Sequence, residues 1–156
     1  MFDISSLKDK NNLTTLNLFL LVILTAGLYL IVWMYRTGTA IEEVTKIKIV
    51  SSSFFISYLA LMGIGGLLVD LGTQDIVMLG SIMLLTSTIL GLVWCFRARD
   101  ALREYTQNEH DFELLMNWVC TLFFSFYYVN YCINDLPEAK QNSQGAIKPV
   151  DTSIEK

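Results

Sequence analysis

Residues Leu18–Tyr35 read LFLLVILTAGLYLIVWMY, a stretch with no charged side chain, followed at once by Arg36. About 20 helical residues cross a ~30 Å hydrocarbon core, so this run has the length of one membrane span. Three runs of the same scale follow. They are 53–71, with FFISYLALMGIGGLLVDL; Ile76–Phe96, IVMLGSIMLLTSTILGLVWCF; and Leu114–Ile133, LLMNWVCTLFFSFYYVNYCI. None has a charge in its interior, and Asp70 stands only at the end of the second. Lipid cannot hydrogen-bond an open backbone, so apolar runs of this length are helices. A small soluble bundle would show a polar face on each helix, and these runs show none.

The expected architecture is all-α: an integral membrane four-helix bundle with spans at 18–35, 53–71, 76–96 and 114–133. A polar N-terminal segment over 1–16 precedes it and a flexible polar tail over 135–156 follows. Composition agrees. Of 156 residues, 53% are apolar and only 17% charged, against roughly 25% charged in ordinary soluble chains. The first run lacks the basic start and small-residue cleavage site of a signal peptide, and is expected to be retained. The net charge of −4 and the lack of a basic patch exclude a nucleic-acid partner. Cys95, Cys120 and Cys132 have no zinc or CxxC spacing and read as buried thiols. On one straight helix Cys120 and Cys132 would lie about 18 Å apart, too far to bridge.

The chain also repeats. Thr25–Lys46 reads TAGLYLIVWMYRTGTAIEEVTK and Thr86–Gln107 reads TSTILGLVWCFRARDALREYTQ. At a shift of 61, Thr25, Val32, Trp33, Arg36, Ala40, Glu43 and Thr45 find identical residues at Thr86, Val93, Trp94, Arg97, Ala101, Glu104 and Thr106. This points to two repeated helical hairpins, a two-plus-two arrangement about an axis near the membrane normal. After each arginine the chain is expected to stay helical for two or three turns. Asp100 and Arg103 are then spaced to support one another. Asn108, ahead of Glu109 and Asp111, is a plausible start for the fourth helix.

Arg36, Lys46, Lys48, Arg97, Arg99 and Arg103 lie in the loops at 36–52 and 97–113, while Asp70–Asp75 holds no Lys or Arg. By the positive-inside rule both basic loops are cytoplasmic, which would put the termini, with Lys8, Lys10 and Lys140, outside.

No catalytic set stands out, and a non-enzymatic protein without cofactor or metal is expected. His110, the only histidine, sits among Glu109, Asp111 and Glu113, which reads as a solvated linker rather than a metal site. A coupled transporter would want an ionisable group at membrane depth, and the spans have none. Two weaker constellations remain. Arg36 with Glu43, and Arg97 with Glu104, recur seven residues apart on one helix face and are candidate contacts for a headgroup or partner. Asn117, Thr121 and Asn130 are candidate intramembrane polar contacts. Small pairs four apart, Ser53 with Ser57 and Ser87 with Gly91, permit close helix approach.

The stretch LTAGLYLIVWMYR resembles the signature of DUF4234, bacterial membrane proteins of unassigned function, through Thr25, Gly27, Tyr29, Trp33, Tyr35 and Arg36. YYVNYCIN is similar to that family's closing motif through Tyr128 and Asn134, with Asn130 replacing an amide Gln. Acidic Glu42–Glu43 depart from the family pattern. The resemblance implies a small multi-span protein of the bacterial inner membrane and no reaction. The expected function is therefore assembly with itself or with another membrane protein in the lipid bilayer, as an accessory subunit. A homo-oligomeric channel or small-solute permease, lined by helix four, is the alternative.

Overall fold

Thr25, Ala26 and Gly27 divide the first apolar run in two. In the computed structural model, which describes residues 4–146, helix α1 spans Ser5–Asn11, α2 Thr15–Leu24 and α3 Leu28–Thr45. Then come α4 Ser52–Leu71, α5 Gln74–His110 and α6 Trp118–Ala146. The chain is all-helical over the described residues.

The break after α2 is a tight reversal. Ala26 (φ 50°) and Gly27 (φ 90°) are left-handed, a conformation only glycine adopts without strain. The Thr25 hydroxyl donates to Leu21 O at 2.7 Å and accepts from Tyr29 N at 2.9 Å, so it fastens both sides of the turn. Positions 15 and 37 would lie about 33 Å apart on one straight helix. Here the Asn11 carboxamide oxygen accepts from the Thr37 hydroxyl at 3.3 Å, and the Asn130 amide reaches Thr15 Oγ1 at 3.1 Å. So the expected span at 18–35 is corrected: α2 and α3 are two arms of a helical hairpin.

The fourth run is corrected in the same way. Ser125 has φ 40° and ψ −115°, which no helix tolerates. The chain folds back there, and Asn117 N donates to the Tyr128 hydroxyl at 3.0 Å, a contact a straight helix forbids. The turn also returns Cys120 toward Cys132, so the straight-helix separation does not hold, although all three thiols are free.

Among the described residues, α4 and α5 are the two helices long and apolar enough to cross a membrane. They pack along their length because Gly65 and Gly80 meet backbone to backbone. A Cβ on Gly80 would sit 2.8 Å from Gly65 O. α5 continues well beyond Arg97, and α3 beyond Arg36, as their sequences predict. Asn108 belongs to the end of α5 instead of starting the next helix, because left-handed Asp111 closes that helix.

Burial divides the molecule into two territories. At one end, Leu7, Met34, Ile41, Trp94, Leu102 and Ile133 are fully buried, as in a water-soluble core. We refer to this end as the cap. Beyond it, Leu24 (81% exposed), Leu71 (79%) and Phe123 (77%) face outward from the hairpin ends. The N-terminal segment belongs to the cap. Its Leu7 is fully buried, a contribution of about 2 kcal/mol. Lys10 Nζ lies 2.6 Å from Glu43, placing α1 beside the basic loops and not opposite them as expected. The tail expected from 135 stays helical to Ala146, anchored by fully buried Leu136. Positions 147–156 lie outside the described residues.

Candidate functional site

Where the hairpins enter the cap, three polar features meet. The first is a neutral clasp. The Asn11 carboxamide donates to Asn130 Oδ1 at 2.7 Å, and its oxygen accepts from Trp33 Nε1 at 3.1 Å and from Thr37. Asn130 and Asn134 both donate to Leu13 O, at 3.2 and 2.9 Å. Asn11, Thr37 and Asn130 are buried, so each unmade bond would carry a desolvation penalty of about 1–3 kcal/mol. The clasp ties α1, α3 and α6 without any charge. Asn130 is thus held inside the monomer. Thr121, also fully buried, donates to Asn117 O, while Asn117 is exposed.

The second feature is a cleft of about 170 Å³ beside α3, lined among others by Tyr35, Gly38, Glu42, Ser51, Phe55 and Trp94. Glu42 Oε1 accepts from Ile49 N at 3.0 Å and Val50 N at 3.4 Å, pinning the connection to α4. Gly38 leaves room beside Trp94, and a Cβ there would be 3.4 Å from Trp94 Nε1. That indole nitrogen is buried and has no hydrogen-bond partner. The third feature is a more open cleft of about 420 Å³ with Arg99, Arg103, Asn117 and Trp118 on its walls. Arg99 donates through Nε and Nη2 to Met116 O at 3.1 and 3.0 Å, and through Nη1 to Asp100. Arg103 pairs with Glu113 at 3.0 Å rather than with Asp100.

The recurring Arg–Glu pairs do not close on themselves. Glu43 binds Lys10, whose hydrogen bond and positive charge hold its carboxyl below the ordinary value of 4.5. Arg97 donates to Ile49 O at 3.1 Å. Arg36 and Glu104 are exposed. Two pairs of positions related by the 61-residue shift are alike in burial, while the arginines and glutamates are not alike in their partners. Trp33 and Trp94 pack edge to face at 5.8 Å, and Ala40 and Ala101 are both buried. His110 stacks edge-on against Tyr105, with Lys140 Nζ 3.3 Å from its Nδ1. Among the described residues no group of three His, Cys, Asp or Glu is placed to hold a metal.

The signature residues now have structural work. Thr25 and Gly27 build the hairpin turn, and Trp33 joins the clasp. Residues 13–104 match the family described as a domain of unknown function, DUF4234. The chain belongs to the DUF4234 family. No curated protein and no solved structure matches it. The matched stretch of this DUF4234 protein runs from the entry of α2 to the last two turns of α5, so the closing resemblance at Tyr128, Asn130 and Asn134 lies beyond it. Sequence reasoning overlooked Asn11 and the Glu42–Trp94 cleft. Glu42 was visible only as a departure from the family pattern.

Proposed function

We propose that this DUF4234 protein is a non-enzymatic integral membrane protein of the bacterial inner membrane that acts by assembly, with itself or as an accessory subunit of another membrane protein. α4 and α5 cross the bilayer, while the α2–α3 hairpin and the hairpin at Ser125 enter to about half its depth. An arm of 10 residues, as in α2, is about 15 Å long. The cap faces the cytoplasm, since the nine lysines and arginines up to Lys140 belong to it and the Gly72–Thr73 turn has none. The two halves of the chain are read as a duplicated unit.

The observation that carries assembly is the outer face of α4. Ser53, Ser57 and Ala60 are exposed there, four and three residues apart, the spacing that admits a second helix at close range. Ser87 and Gly91, small residues of the same kind, are already buried within the chain. The test is extraction in mild detergent with size analysis and mass spectrometry of what co-purifies. A defined complex that falls apart in Ser57→Phe is expected. A strictly monomeric chain, alone in both wild type and variant, would sink the proposal.

A further inference from the structure

We propose that the cleft between α3 and the start of α4 binds the headgroup of an amine-bearing zwitterionic phospholipid, of the phosphatidylethanolamine class. The inference rests on the membrane reading above, and it begins with an inequality between two equivalent tryptophans. Trp33 Nε1 has an acceptor, Asn11, supplied by α1. Trp94, at the related position, is fully buried, yet its Nε1 has none and faces the space that Gly38 leaves open. A buried donor in such a slot calls for an acceptor from outside the chain.

The cleft grades from apolar to charged in the order a phospholipid does. Along one face of α3 stand Leu28 and Val32, both exposed, then Tyr35, Gly38 and Glu42. Acyl chains lie against Leu28 and Val32, and Tyr35 with Phe55, ring centroids 5.4 Å apart, marks the headgroup level. A phosphodiester oxygen beside Gly38 accepts from Trp94 Nε1. It also lies by the start of α4, where Phe54 N is capped by Ser51 but the amides of Ser52 and Ser53 precede the first intrahelical bond and favour an anion. From Gly38 to Glu42 the helix rises about 6 Å, close to the span from phosphate to amine in such a headgroup. Glu42 uses only Oε1 for the loop amides, leaving Oε2 to receive the ammonium. The hydroxyls of Ser51 and Thr39 complete a set of acceptors suited to three N–H donors. An anionic lipid brings the same phosphate but no ammonium to offset the Glu42 carboxylate, and a choline headgroup has no N–H to give.

Native mass spectrometry of the full chain, released from nanodiscs holding phosphatidylethanolamine, phosphatidylcholine and phosphatidylglycerol in equal amounts, tests this. The wild type should retain phosphatidylethanolamine over the others by about tenfold, the worth of one charged hydrogen bond. Glu42→Gln keeps the loop contacts and should erase the preference. Gly38→Leu should block retention, and Glu43→Gln should change nothing. Equal retention of the three lipids by the wild type, or an unaltered preference in Glu42→Gln, would overturn the proposal. So would displacement of the lipid by free O-phosphoethanolamine at matched concentration, which would mark a soluble ligand. Carbonate extraction reads membrane integration separately, so failure of that reading is not confused with failure of this one.

Discussion

The connection after α3 and the connection after α5 are held by opposite charges. In the first, a carboxylate, Glu42, receives two loop amides. In the second, a guanidinium, Arg99, donates twice to one loop carbonyl. Backbone offers both N–H and C=O, so either sign can fasten a returning loop. What the two regions share is a charged side chain bonded to the loop backbone, and what differs is the cleft each leaves: acidic beside Gly38, basic beside Arg99 and Arg103.

The junction between the two regions should be the most sensitive place. Gly80→Val puts side-chain atoms into Gly65 O and should cost about 3 kcal/mol, read as lost folded yield and a lowered unfolding midpoint in detergent. Gly66→Ala, with nothing within 4 Å of the added carbon, should be neutral or slightly stabilising in the same assay. Next comes the basic loop. Arg99→Met removes both bonds to Met116 O from a side chain only 14% exposed and should cost about 2 kcal/mol. The acidic loop should respond less. Glu42→Ala should cost about 1 kcal/mol and Glu42→Gln less than that, because the amide still accepts. Equal losses for Glu42→Ala and Arg99→Met would mean the two loops are held alike and the comparison is wrong.

The smallest effect concerns α1, which has no counterpart in the second half. Glu43 is held below 4.5 by Lys10, so its pairing supports the folded state at neutral pH. That support fades as pH falls through the lowered value, where the carboxylate takes up its proton. Protection of the α1 amides against hydrogen exchange, corrected for the intrinsic rate at each pH, should fall as pH drops below the ordinary carboxylate value, and Glu43→Gln should lose this acid-side step. Unchanged exchange in both would remove the Lys10–Glu43 pair from the account.

Much of this fold is legible in the sequence. The apolar runs give helices, α4 and α5 have the composition of crossing helices, and α3 and α5 extend past their arginines as expected. Hydropathy could not reveal the two reversals. An apolar run of 18 to 20 residues satisfies lipid equally well as one span or as two short arms. For the first reversal a local signal existed in Gly27, with Thr25 beside it. For the second it did not, because Ser125 adopts a left-handed φ without being glycine. The docking of α1 was hidden by its polarity. Of its described residues Ile4, Leu7 and Asn11 are buried, too few to outweigh its lysines in any average. The clasp follows from these hidden folds, since Asn130 and Trp33 meet Asn11 only after both apolar runs turn back. The Glu42–Trp94 cleft was hidden for a related reason: its parts come from three segments, and an unpartnered indole nitrogen has no signature in sequence.

The reversals at Gly27 and Ser125 have a consequence for how such a chain enters a membrane. In the arrangement proposed above, two of the four apolar runs return to the side they came from, and no hydrophilic segment has to follow them across. Of the described residues, that arrangement carries just the Gly72–Thr73 turn, flanked by Asp70 and Asp75, to the far side. Translocation then moves a few residues and no basic ones, and the rest of the chain can fold against itself where it was made.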